Sequence, residues 1–216
     1  MGTYRSVWRP RGDPGFTLIE MLIVMGIIVI LVGILLPSVW SARRHARKNQ
    51  AATAIQNLRM AIESYHGAFG DFPPSTLRDI GLPVNRTNDG IESLVACIST
   101  TRKGGPFHEF EEDKLKNADR DKIPDFNASY LKKGEAYEYV DPWGNPYIYF
   151  HNRDYANPEI ASKYGFPEGK TVKATPSKSP KTGNWHGYES FQLWSAGPDG
   201  KNDNGGGDDI TSWETY

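Results

Sequence analysis

Four aspartates near the end of the chain could bind a metal ion. Asp199, Asp203, Asp208 and Asp209 fall within eleven residues and are separated by glycines at 200 and 205–207. Carboxylates this close repel one another unless a positive charge lies among them, and Ca²⁺ takes about 6–8 oxygens from carboxylates, carbonyls and water. The pattern is not an EF-hand, because no glutamate ends the loop. A calcium loop of another kind and a solvated acidic turn both remain open.

Glu20 is a carboxylate in an otherwise apolar segment. It is the single charge in residues 16–36, a run of 21 residues, and such a run can cross a bilayer core of about 30 Å as a helix. A carboxylate at the middle of a bilayer costs about 2.5–3.5 kcal/mol, and less near the edge. Glu20 therefore either snorkels to the membrane edge or has an electrostatic role.

The other reactive residues form no catalytic pattern. The sequence contains no nucleophile elbow, Walker loop or zinc-ligand spacing, and the histidines are scattered at positions 45, 66, 108, 151 and 186. Cys97 is the only cysteine, so no intrachain disulfide can form, and its apolar surroundings are typical of a buried thiol. The net charge is −1, without a basic patch typical of nucleic-acid binding. We expect neither an enzyme nor a nucleic-acid partner.

A long helix should follow the leader-like residues 1–15. Past the apolar run, the spacing of five large residues, Ile55, Leu58, Ile62, Tyr65 and Phe69, predicts one face of an amphipathic helix. Pro37 lacks a backbone donor and should bend or loosen this helix. The helix should end near Gly70, since the pair Pro73–Pro74 cannot continue it.

The rest of the chain predicts a small α+β domain. We expect a short helix over residues 90–98 and strands over 147–150 and 190–194. Residues 100–130 should form an inserted helix or loop, and residues 151–187, rich in Pro, Gly, Lys and Asn, a long surface loop. The predicted fold class is α+β, with a long N-terminal helix packed against a small antiparallel sheet.

At residues 15–20 the sequence GFTLIE resembles the leader of type IV prepilins. The resemblance implies cleavage between Gly15 and Phe16 by a prepilin peptidase and N-methylation of Phe16. It also implies that Glu20 neutralises the amino terminus of a neighbouring subunit, and that the helix around Pro37 can lose helicity in a fibre. An ordinary signal anchor is the alternative explanation of the apolar run.

Three further segments resemble the major pseudopilins of type II secretion systems. They are the stretch after the helix that includes NDGIESLVACI, the DPWGNPY turn within residues 130–150, and residues 191–213. The departures are insertions at about 100–128 and 151–187, and Ala196 where the family usually has leucine. The resemblance implies a calcium loop over 195–213. Its expected side-chain ligands are Asp199 and Asp209, then Asp208 and Asp203, and its expected carbonyl ligands are Ala196 and Lys201.

The resemblance divides the chain into a leader (1–15), a membrane and assembly helix (16–37), an amphipathic continuation (38–70) and a periplasmic α+β domain (71–216). It implies a single-pass inner-membrane protein that polymerises with itself through its N-terminal helices. The implied partners are the prepilin peptidase, the inner-membrane assembly platform and the minor pseudopilins. The implied function is that of a pseudopilus subunit that drives export of folded proteins.

Two other functions remain open. One is a type IV pilin displayed at the cell surface, although pilins of that kind often carry a disulfide that this chain cannot form. The other is a monomeric, membrane-anchored binding module. The charge pattern also conflicts with a periplasmic domain, because basic residues 43, 44, 47 and 48 follow the apolar run and the positive-inside rule would place them in the cytoplasm. We give more weight to the leader motif.

Overall fold

A computed structural model describes residues 15–83, 86–120 and 135–214. The first helix, α1, spans Leu18–Phe69 and contains Pro37 without interruption. The chain divides into two compact units between Arg43 and Arg44. In the second unit, one stripe of α1 is buried and contains Ala51, Ile55, Leu58, Ala61, Ile62 and Tyr65. The predicted helix, its end and its apolar face are confirmed, with Phe69 half-buried and stacked on Tyr65.

The second helix, α2, spans Asp89–Ile98 and lies in the core along its whole length. Its Cys97 is buried, and burial raises the pKa of the thiol to about 12. Tyr65 of α1 and Cys97 of α2 belong to the same cluster of buried residues, and the Tyr65 ring packs edge-on against Phe107. The buried faces of the two helices therefore belong to a single core.

The described residues of the domain also contain seven short strands, all paired antiparallel. A three-stranded sheet has the order β3 (Ile148–His151), β6 (Phe191–Ser195) and β7 (Ile210–Thr211). Its register pairs Ile148 with Trp194 and Trp194 with Thr211. The strands β1 (Leu115–Lys116) and β2 (Glu138–Tyr139) form a pair, as do β4 (Lys163–Phe166) and β5 (Lys170–Lys173). The predicted α+β class and both predicted strands are confirmed, each shifted by one residue.

The prediction that residues 151–187 form a surface loop is wrong. The segment contains the β4–β5 hairpin, and its Tyr155, Tyr164 and Phe166 are buried. Glu168 and Gly169 at the hairpin turn have positive φ angles of 64° and 74°, which fits the right-handed twist of a hairpin. The alternation of Tyr164, Gly165 and Phe166 before a Pro-Glu-Gly turn was the available signal, but the surrounding polar composition obscured it.

The predicted insertion at 100–130 is described only to residue 120. Its described part consists of two short 3₁₀ turns and strand β1, whose partner is β2. Residues 121–130 lie outside the described part of the chain, so the prediction for them is untested.

Candidate functional sites

The start of α1 places Glu20 against its own helix terminus. The Thr17 backbone amide donates to Glu20 Oε2 at 2.8 Å, and the Thr17 hydroxyl donates to the same oxygen at 2.6 Å. The Glu20 amide in turn donates to Thr17 Oγ1 at 3.3 Å. This reciprocal pattern is a capping box, which satisfies donors that a helix start leaves open. In a single chain, Glu20 therefore already has a local structural role.

The predicted cleavage position lies just before this cap. Gly15 and Phe16 are exposed and precede the helix, so the peptide bond between them is accessible. From Leu18 to Leu36 nearly every side chain is large, apolar and exposed. Within the described residues, α1 is the one helix long and apolar enough to cross a membrane, and none of its most apolar 18-residue window is buried. Such a surface requires lipid or other helices around it.

The loop over residues 195–213, called the acidic loop below, begins where hydrogen bonds join it to the DPWGNP turn. Asp141, in the DPWGNP turn, accepts backbone bonds from Trp143 and Asn145 at 2.9 Å each. Its other oxygen accepts the Ser195 hydroxyl at 2.6 Å, and Ser195 Oγ accepts the Gly197 amide at 3.1 Å. The DPWGNP turn and the acidic loop are thus joined by hydrogen bonds, and Ala196, next to Ser195, is buried.

The loop brings two of the carboxylates together. The side chains of Asp199 and Asp208 lie close enough to interact. Asp199 also accepts the Lys201 backbone amide at 2.8 Å and lies 3.3 Å from its ammonium group, and the backbone bond is the main cause that lowers the pKa of Asp199. Two carboxylates so near each other repel unless a proton or a cation lies between them.

Asp209 organises the middle of the loop. Its Oδ2 accepts the backbone amides of Asp203 at 3.1 Å and Gly205 at 2.7 Å. Burial is the main cause that raises the pKa of Asp209 to about 7, and the neighbouring charges of Asp203 and Asp208 raise it further. A cation near this carboxylate would offset both effects.

Two glycines allow the tight backbone turns of the acidic loop. Gly197 and Gly207 have φ angles of 66° and 58°, and a Cβ at either position would collide with the loop itself, at the Asp208 carbonyl and the Asp203 carboxylate respectively. Carboxylates, carbonyls and a tightly wrapped backbone together fit the oxygen-rich shell of Ca²⁺. The structure does not bring three of the four aspartates within 4.8 Å of one another among its described residues, so carbonyls such as those of Ala196 and Lys201 would have to complete the shell.

The structure also contains an acidic cluster that the sequence did not indicate. Oxygens of Glu92 on α2, Asp119 after β1 and Glu138 on β2 lie within 4.8 Å of one another. Asn88 Nδ2 donates to Glu138 Oε1 at 2.7 Å, while Asn88 Oδ1 accepts the Gly165 amide at 2.7 Å. Burial raises the pKa of Glu138 to about 7, and Asp119 adds to the effect. Three segments far apart in sequence supply this cluster, so no local pattern could have revealed it.

Comparisons with known proteins match the N-terminal segment to a family and most of the chain to two relatives. The Prokaryotic N-terminal methylation motif matches residues 11–36. The chain is 29% identical over 207 residues to the type II secretion system core protein G of Pseudomonas aeruginosa, covering 94% of this chain and 97% of that protein. It is 27% identical over 135 residues to the protein of the same name from Escherichia coli K12, covering 62% and 69% respectively. No solved structure matches the chain.

Proposed function

We propose that this chain, a type IV pilin-like protein, is a structural subunit of a type II secretion pseudopilus. The observation that carries the proposal is the exposed apolar first part of α1, which lies within the methylation motif. A surface of this kind can be covered by lipid while the subunit is stored and by neighbouring helices once it is assembled. Similarity to core protein G over 94% of the chain favours the secretion fibre over a surface pilus.

In this function the chain performs no chemistry of its own. A prepilin peptidase would cut after Gly15, leaving a membrane-anchored subunit in which Phe16 is the new amino terminus and Glu20 is the fifth residue. Growth of a homopolymer, with help from the assembly platform and minor pseudopilins, would move folded proteins outwards. The domain after α1 would then lie in the periplasm.

The first test is mass spectrometry of the N-terminal peptide from protein made together with its own prepilin peptidase. The expected peptide begins at N-methylated Phe16. Protein made without the peptidase is the control and should keep the leader. An intact leader in both samples would contradict the assignment and favour an ordinary signal anchor, and with it the monomeric binding module.

The second part of the proposal is that the loop over 195–213 binds Ca²⁺. Asp199, Asp208 and Asp209 would supply carboxylates, Asp203 would lie beside them, and Ala196 and Lys201 would contribute carbonyls. The ion would neutralise the repulsion within the loop and so stabilise the folded domain in a chain that has no disulfide.

Thermal unfolding of the full chain in detergent, with calcium or a chelator, tests this part. Binding to the folded state alone should add about 2.7 kcal/mol at a calcium concentration about a hundredfold above Kd. Asp199→Asn and Asp208→Asn should remove the calcium-dependent rise in Tm. Asp113→Asn, an exposed aspartate outside the loop, should keep it. Equal melting of the wild type with calcium and with chelator would disprove the site.

A further inference from the structure

Two asparagines join the acidic loop to the inserted 151–187 segment. Asn202 Nδ2 donates to the Lys173 carbonyl at 3.1 Å, and Asn204 Oδ1 accepts the Thr175 amide at 2.8 Å. Lys173 ends strand β5, and Thr175 lies two residues beyond it. These bonds link the loop expected to hold calcium to a segment that the sequence set apart as an insertion.

The asparagines also bond to each other and to the central sheet. The indole Nε1 of Trp194, on β6, donates to Asn202 Oδ1 at 2.9 Å. Asn202 Nδ2 donates to Asn204 Oδ1 at 3.0 Å, and the Asn204 amide donates back to Asn202 Oδ1 at 3.1 Å. Asn204 holds a left-handed φ of 53°, which asparagine tolerates better than most residues. Each of the two asparagine side chains is therefore hydrogen-bonded to residues in other parts of the domain.

The inserted segment is itself fixed to the sheet. Buried Gln192 of β6 accepts the Ser177 amide at 2.6 Å through Oε1 and donates to the Ser177 carbonyl at 2.9 Å through Nε2. The inserted segment and the acidic loop are thus both hydrogen-bonded to β6, and the two asparagines connect the segment to the loop. A loop attached on both sides loses less freedom when it binds a ligand.

We propose that Asn202 and Asn204 are positioning residues that let the 151–187 segment hold the acidic loop in its metal-binding shape before the metal arrives. Neither side chain belongs to the expected ligand set. Without these bonds, repulsion among four aspartates would favour an open loop, and calcium binding would have to order it. The inference rests on the calcium site proposed above.

The test compares calcium affinity by isothermal titration of the full chain in detergent with CaCl₂. The variants are Asn202→Ala and Asn204→Gly, the second of which keeps the left-handed backbone and removes only the side-chain bonds. Each should bind calcium about tenfold more weakly, as expected from the loss of a hydrogen bond or two. Asn184→Ala, in an exposed turn of the same segment, is the matched control and should bind like the wild type.

Hydrogen exchange of the Thr175, Asp203 and Gly205 amides supplies a readout that a general loss of stability would not reproduce. In wild-type protein these amides should be protected without calcium. In both variants they should exchange rapidly without calcium and regain protection when calcium is saturating, while the amides of β3 remain protected throughout.

The outcomes separate the two proposals. If the wild type binds calcium and both variants bind it equally well, the positioning role is wrong. If the wild type binds no calcium, the metal site fails, and exchange in metal-free protein alone decides whether the asparagines hold the loop. If Asn202→Ala does not fold, Asn204→Gly alone decides, and unchanged protection and affinity in that variant overturn the inference.

Discussion

At the scale of single residues, Glu20 combines two roles that replacement by alanine cannot separate. Its carboxylate caps α1 through Thr17, and the proposed fibre needs its charge for the amino terminus of a neighbour. Replacement by alanine removes both the cap and the charge. Replacement by glutamine removes the charge and keeps an acceptor at a position where glutamine is also a good capping residue.

We therefore expect Glu20→Gln to block fibre formation as completely as Glu20→Ala, since an amide cannot neutralise a buried ammonium group. Thr17→Ala, which weakens only the cap by about 0.5–2 kcal/mol, should still assemble. Electron microscopy of sheared fibres from cells that express each variant measures the outcome. Normal fibres from Glu20→Gln would show that capping, rather than charge, is what assembly requires.

Glu138 is the second residue with a distinct expectation, because its pKa rises from 4.5 to about 7 on burial. A carboxyl group with a raised folded-state pKa contributes stability that is fully present below pH 4.5 and is lost as the pH rises through 7. The shift corresponds to about 3 kcal/mol at alkaline pH. Glu138→Gln should therefore be more stable than the wild type at pH 8, by about 1–3 kcal/mol, and lose this advantage at pH 5.

Urea unfolding of the full chain in detergent at both pH values measures this difference. Glu109→Gln, an exposed glutamate on the neighbouring segment, is the control and should follow the wild type at each pH. A Glu138→Gln protein that is destabilised equally at pH 5 and pH 8 would mean that the ionised carboxylate is needed for its bonds to Asn88 and Ala118.

At the scale of elements, the β4–β5 hairpin closes the edge of the central sheet. Strand β3 is an edge strand, and the Tyr164 hydroxyl accepts the Tyr149 amide at 3.1 Å and donates to the Tyr149 carbonyl at 3.2 Å. A Cβ at Gly90 would collide with the same hydroxyl and carbonyl. The hairpin therefore satisfies backbone groups that would otherwise be buried without partners.

Tyr164→Phe should destabilise the domain by about 2 kcal/mol, because it keeps the ring and leaves two buried backbone groups unsatisfied. Tyr188→Phe, at a residue that is 68% exposed, should change stability by less than about 0.5 kcal/mol. Urea unfolding of both variants tests the expectation. Equal stability of the two would mean that water replaces the hydroxyl at the sheet edge.

The elements that sequence predicted are those with a regular local pattern. The apolar residues from Ile55 to Phe69 repeat with the period of a helix, and β6 is a short apolar run typical of a buried strand. Burial could therefore be predicted from the sequence in both cases. The hairpin was missed because its buried Tyr164 and Phe166 stand among polar residues whose composition alone resembles a loop. The four aspartates of the acidic loop could be grouped from sequence, but the cluster around Glu138 depends on tertiary contacts that no spacing encodes.

At the scale of the whole molecule, the buried core lies entirely in the second unit. Its first buried residue is Ala51 and its last is Ser212, whereas the side chains from Leu18 to Leu36 are exposed. Among the described residues, the apolar start of α1 therefore supplies no buried side chain to the core.

A chain that begins at Arg44 should consequently be a water-soluble, folded monomer. Its Tm should lie within a few degrees of that of the domain in the full chain in detergent, since no core side chain is lost. Circular dichroism and sedimentation velocity measure fold and mass, and the full chain without detergent is the control, expected to aggregate. Unfolding or aggregation of the shortened chain would contradict the independence of the domain.

The burial of Cys97 has a practical consequence for mapping the proposed fibre. A thiol with a pKa of about 12 is almost entirely protonated at neutral pH, and the protonated form is a poor nucleophile. Maleimides and oxidising cross-linkers should therefore not react with the native cysteine while the domain is folded. Single cysteines introduced on exposed faces of α1 or on the acidic loop would then report, one pair at a time, which surfaces of adjacent subunits meet.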